Sequence, residues 1–155
     1  MTLLLQAAAT LYMTGVIWMV QVAHYPLFAR IDAASFPDYE QRYTRRMGWV
    51  VAPAMLAELG LAGAMAFAPP AGVSLREAWL GLGLLAIIWL STFLLQVPCH
   101  TRLSRGFDEA TWRRLVRSNW IRTAAWTLRA ALLLRLLAKV PMFGQGLPEI
   151  VQCVE

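Results

Sequence analysis

MGWVVAPAMLAELGLAGAMAFA, residues 47–68, carries a single charged side chain, Glu58. About 20 apolar residues of helix cross a hydrocarbon core, so this stretch is long enough to span a bilayer. A carboxylate in its middle is costly in lipid, which marks Glu58 as a candidate functional group whose partner has to be found. The partner lies in a second stretch, WIRTAAWTLRAALLLRLLAKV at 120–140, which holds Arg129 at a matching distance from its own start. At 1.5 Å per residue both groups fall roughly 16 to 18 Å below the same membrane surface. The two are expected to meet as an ion pair.

Two further apolar blocks complete the pattern, and the chain reads as helices over about 3–29, 47–68, 78–97 and 118–140. With 155 residues, 59% of them hydrophobic, and a mean hydropathy of +0.52, four spans use most of the chain and leave no room for a soluble domain. The expected fold class is all-α: one integral membrane four-helix bundle over 1–155. The first block lacks a basic leader and is too long for a signal-peptide core, so it reads as a retained helix.

Arginines orient the bundle. Arg30, Arg42, Arg45 and Arg46 lie between blocks one and two, and Arg102, Arg105, Arg113, Arg114 and Arg117 between three and four. The positive-inside rule places both connections in the cytoplasm and both termini outside it, in a multi-pass protein of the inner, or plasma, membrane. The pI near 9.9 does not imply nucleic acid as a partner, because every basic cluster is juxtamembrane, where topology and anionic lipid account for it. Cys99 and Cys153 are expected on opposite faces, unable to bridge within one chain, and no C-x-x-C pattern suggests thiol redox or cysteine-zinc chemistry.

The basic connections read as interfacial amphipathic helices on the cytoplasmic side. Ser35 is placed to cap one, with Asp38 at its third position and Phe36, Tyr39, Tyr43 and Met47 along one face. Asp108 is placed to cap the other, with Trp112, Leu115 and Val116 opposite the arginines.

Polar residues inside the spans fall in stripes. Thr10, Thr14, Gln21 and His24 share a face of the first helix; Thr92, Gln96 and His100 share one of the third; Asn119, Arg122, Trp126 and Arg129 share one of the fourth. The topology brings these stripes together in one leaflet, as a polar cavity floored by Glu58 and Arg129. Hydrogen bonds that merely hold the bundle explain the threonines, Gln21 and Gln96 better than ligand contact does. Imidazole and carboxylate suit zinc, iron or copper, and the ligands of such a metal would be His24, Glu58 and His100. The spacing is not that of a known metal motif, however, and Arg122 and Arg129 favour an anionic or carbonyl-bearing ligand over a cation. No cofactor follows from the sequence.

The run Gln96-Val97-Pro98-Cys99-His100, then Trp112, then Ser118-Asn119-Trp120-Ile121-Arg122-Thr123, resembles the small four-span proteins grouped with the fungal anthrone oxygenases. In that group helix three ends in a Val-Pro-x-Asn-like element and helix four opens with a Trp/Asn-x-x-Arg-Thr-like element; His100 here stands in place of the asparagine. The resemblance implies oxygen-dependent oxidation of an aromatic or quinone-like molecule.

Three functions stay open on the sequence. A membrane oxidoreductase would take a flat hydrophobic small molecule between its helices, with Gln21, Gln96 and Asn119 around it and Trp89 and Trp126 stacked on it. His24 or His100 would remove a proton, and Arg122 or Arg129 would stabilise the anion. A small transporter could use the same cavity. An accessory subunit would instead turn the polar stripe toward a second copy or another membrane protein.

Overall fold

A computed structural model describes residues 1–139 as four helices, with no strand among them. We label them α1 (Thr2–Arg30), α2 (Phe36–Phe67), α3 (Leu75–Leu103) and α4 (Glu109–Lys139). The first three are long and apolar enough to cross a membrane, with mean hydropathies of 1.7, 1.7 and 2.1. Cys153 and the expected outer tail lie outside the described residues.

Local chemistry sets the helix starts. Ser74 and Glu77 form a reciprocal capping box at α3, with Glu77 N–H donating to Ser74 Oγ at 3.3 Å and Ser74 N–H to the Glu77 carboxylate at 3.0 Å. In the turn before it Gly72 takes φ 82°, a left-handed conformation that a side chain would oppose. Asp108 caps α4 as expected, accepting from Thr111 N–H at 3.1 Å. Ser35 stands at the start of α2, but its side chain makes no capping bond, and Asp38 pairs with Arg42 at 3.0 Å instead. The separate helix expected before Met47 is absent: α2 runs unbroken for 32 residues, and α4 likewise for 31. No glycine-rich or turn-forming segment interrupts either, so the amphipathic turns grow straight into the apolar ones.

α1 and α3 share a construction that the sequence reading missed. Each is 29 residues long, and each contains one π-helical turn, Val20–His24 and Thr92–Gln96. Each π-turn is followed two residues later by a proline, Pro26 and Pro98. Proline lacks an N–H and its ring crowds the carbonyl four residues back, a disturbance that these wider turns accommodate, whereas Pro53 in α2 sits within ordinary α-helix. The two helix hairpins therefore match in length and in the position of their irregularity, although no repeat is visible in the residues themselves.

The helices form a ring in which each packs on its chain neighbours and α4 closes on α1. Apolar layers fill both ends and the middle: Phe28, Phe36, Leu103 and Leu115 at one end, Met13, Ile17, Leu85, Ile88 and Trp126 centrally, and Leu3, Met65, Leu133 and Leu136 at the other. Between them lie buried polar side chains, among them Gln6, Thr10, Gln21, Glu58, Asn119, Arg122 and Arg129. The outer surface instead displays Leu4, Leu11, Trp18, Leu56, Phe93, Leu94 and Leu128. Polar groups within and large apolar groups without is the distribution of a membrane protein, in which lipid rather than water meets the outer face.

Candidate functional site

Glu40 is fully buried, on the second turn of α2. Its Oε1 lies 2.5 Å from Nδ1 of His100 on α3, and Nε2 of that imidazole lies 3.1 Å from the hydroxyl of Tyr25 on α1. A carboxylate at Nδ1 accepts a hydrogen bond from Nδ1–H and so leaves Nε2 as an acceptor for the tyrosine hydroxyl. Three helices thus contribute one member each to a carboxylate, imidazole and phenol relay. The Tyr25 ring is held edge-on against Phe28 at 5.5 Å, and its carbonyl accepts from Trp112 Nε1 at 2.7 Å.

Tyr25 and His100 line a cavity of about 470 Å³, a volume typical of small-molecule sites. Arg122 lines it from α4. It is buried, donates to Asn119 Oδ1 at 3.2 Å, sits over the Trp126 ring at 5.2 Å, and has no carboxylate partner among the described residues. Among the described residues its Nε is without a partner, as is Oε1 of Gln96, which also lines the cavity; Oε2 of Glu40, outside the wall, is likewise unpaired. Buried polar atoms are nearly always paired, so unpaired ones around a cavity mark where a ligand or water binds. The rest of the wall is largely apolar, including Met13, Ile17, Val20, Met47 and Val51.

Deeper in the bundle the expected ion pair forms. Arg129 Nε lies 3.3 Å from Glu58 Oε1 with both side chains buried. Glu58 Oε1 also accepts from Thr10, Oε2 accepts from Trp126 Nε1 at 3.0 Å, and Arg129 donates a second bond to the carbonyl of Gly81. The charges are therefore saturated by fixed donors and acceptors, as a desolvated pair requires. This pair does not floor the cavity: Arg122 lines it, and neither Glu58 nor Arg129 belongs to the wall.

Of the residues expected at the site, His100, Gln96 and Arg122 line the cavity. Asn119 and Gln21 stand behind Arg122, joined by a 2.8 Å hydrogen bond. Trp126 links Arg122 to Glu58 rather than facing a ligand. Trp89 stacks on Phe93 at 5.4 Å, away from the wall. His24 lies outside the wall and packs on Tyr43 at 5.7 Å, while His100 approaches the same ring at 6.3 Å, so Tyr43 is the neighbour the two histidines share. The conditional metal set of His24, Glu58 and His100 is not assembled. Glu58 stands roughly 27 Å along α2 from the Glu40 that holds His100, at 1.5 Å per residue, and the described residues contain no group of three or more His, Cys, Asp or Glu side chains placed to hold a metal ion.

Glu40, Tyr25 and Tyr43 were missed. A signal for Glu40 was present: Phe36, Glu40, Tyr43 and Met47 follow the i, i+4, i+7, i+11 spacing of a buried helix face, which puts the carboxylate among core positions. Comparison with known proteins finds no matching family model, no matching curated protein and no matching solved structure.

Proposed function

We propose that this protein is a membrane-embedded oxidoreductase that removes a proton from the hydroxyl of a hydrophobic aromatic or quinol-like molecule and thereby opens it to oxidation. The observation that carries the reading is the Glu40, His100 and Tyr25 relay ending on a cavity lined by an unneutralised Arg122. A substrate hydroxyl beside Tyr25 gives its proton to the tyrosine oxygen as the tyrosine proton moves to His100 Nε2. Glu40 stabilises the imidazolium that results, and Arg122 stabilises the new oxyanion inside a low-dielectric wall. With dioxygen as acceptor a quinol loses two protons and two electrons to become a quinone, and the dioxygen becomes hydrogen peroxide. The likeness of the Gln96–His100 and Ser118–Thr123 segments to the anthrone oxygenase group leads to the same class of substrate.

The bundle is read as four spans with both termini outside the cytoplasm, in the plasma membrane. The charges within the central part of α4, Arg122 and Arg129, are both buried, so its lipid-facing side is apolar despite them. The basic lower turns of α2 and α4 then lie at the cytoplasmic interface. An accessory subunit would turn its polar stripe toward a partner, whereas here Gln21, Glu58, Asn119, Arg122 and Arg129 are buried within the chain itself.

The test is oxygen uptake and peroxide formation by the purified protein in lipid nanodiscs with a short-chain benzoquinol. Wild type should turn over and His100→Gln should lose most of the rate. Equal rates for wild type, His100→Gln and protein-free nanodiscs overturn the reading.

A further inference from the structure

The cavity is open to the outside, and the exposed part of its wall says how a ligand arrives. The α1 residues Met13, Ile17 and Tyr25 and the α4 residue Arg122 are buried and form the back wall. The exposed or half-exposed members of the wall belong mostly to α2 and α3, with Gln41, Gly48 and Val51 on one side and Thr92, Val97 and Thr101 on the other. At its basic end the gap is bridged by a hydrogen bond from Gln41 Nε2 to the Ser104 carbonyl at 3.3 Å. Close in the chain to the wall residues Gly48 and Thr92 stand Trp49, Phe93 and Leu94, exposed by 79, 57 and 65%. These are side chains that face lipid in a membrane protein. The opening is thus a window in the side of the bundle.

We infer that the ligand is an amphiphile drawn from the bilayer: its phenolic head passes between α2 and α3 to reach Tyr25, His100 and Arg122, and its alkyl tail remains in the window against Gly48, Val51 and Val97. This rests on the function proposed above and adds the substrate class and the route. The charge pattern selects the head, since an unneutralised guanidinium and a proton-accepting relay at the back suit an acidic hydroxyl. The window selects the tail. Gly48 is the point of control: a Cβ added there meets nothing within 4 Å, so a larger side chain is accommodated by the fold and projects into free space.

The experiment uses the full chain in lipid nanodiscs and calorimetric titration, corrected for empty nanodiscs, with three probes: 4-decylphenol, 4-methylphenol and 4-decylanisole, which has the tail but no acidic hydroxyl. Wild type should bind 4-decylphenol at least tenfold more tightly than 4-decylanisole. Gly48→Leu and Gly48→Trp should weaken 4-decylphenol tenfold or more and leave 4-methylphenol within twofold. Unchanged 4-decylphenol binding in both variants, or equal weakening of both phenols, overturns the window while leaving the proton-accepting site intact. Equal binding of 4-decylanisole and 4-decylphenol overturns the site reading and leaves the window. Absence of phenol binding by wild type overturns both.

Discussion

Glu40 and His100, sixty positions apart in the chain, meet at 2.5 Å across the α2–α3 gap. The carboxylate is fully buried and the imidazole side chain is 18% exposed, so the pair is shielded at one end and open to the cavity at the other. That asymmetry lets the imidazole take a proton from the cavity while its new charge is balanced from behind.

Removing any member of the relay should therefore act on rate before fold. Glu40→Gln, His100→Gln and Tyr25→Phe should each lower turnover of a benzoquinol by about 10²- to 10⁴-fold, the range of a positioned general base. Tyr25→Phe is the cleanest of the three, because the ring that packs on Phe28 remains. Steady-state oxygen uptake checks this, with circular dichroism confirming that the helices persist.

Glu58→Gln and Arg129→Gln should each destabilise the bundle by about 3 to 5 kcal/mol, because each leaves a buried charge without its counter-charge. The double variant should recover part of the loss. Thermal unfolding in detergent across the double-mutant cycle measures the coupling, and strictly additive losses would show that the 3.3 Å contact carries no energy.

Asp108 gives a pH dependence. The Thr111 hydroxyl and N–H, helped by Arg102 at 3.4 Å, hold its carboxyl below the usual carboxylate range. The folded value lies below the unfolded one of about 3.9, so its contribution is complete above that pH and vanishes as pH falls through the folded value. Asp108→Asn should lower the melting temperature at pH 7, and the gap from wild type should close as the pH is taken below 3.9. A gap that persists unchanged at the acid end would refute the linkage.

The buried pair of Glu58 and Arg129 was legible because each stands alone in a long apolar run, where a charge has no inexpensive alternative to a partner. His100, Gln96 and Arg122 were legible from helical spacing on faces that topology turns inward. Glu40 was not, because it sits among Arg42, Arg45 and Arg46, and a carboxylate in a basic segment reads as a solvated counter-charge. Only the unbroken course of α2 puts it on the inner face. The same continuity moved the cavity from the ion pair to the relay: a hinge at Met47 would have left the lower turns lying flat, with nothing opposite His100. Trp89 and Trp126 show the limit of composition, since a tryptophan's face is set by the packing of neighbours such as Phe93 and Glu58 that spacing alone does not rank.

A π-turn is an α-helix with one residue in surplus, and the surplus gives α1 and α3 a tolerance of phase that α2 lacks. Deleting exposed Phe93 should let the Thr92–Gln96 turn close into ordinary helix and leave Val97–Leu103, His100 among them, facing as before. Deleting Trp49 from α2, also exposed on the outer surface but with no surplus to absorb it, should turn Glu40 by about 100° relative to Glu58. The ion pair and the relay could then no longer face inward together.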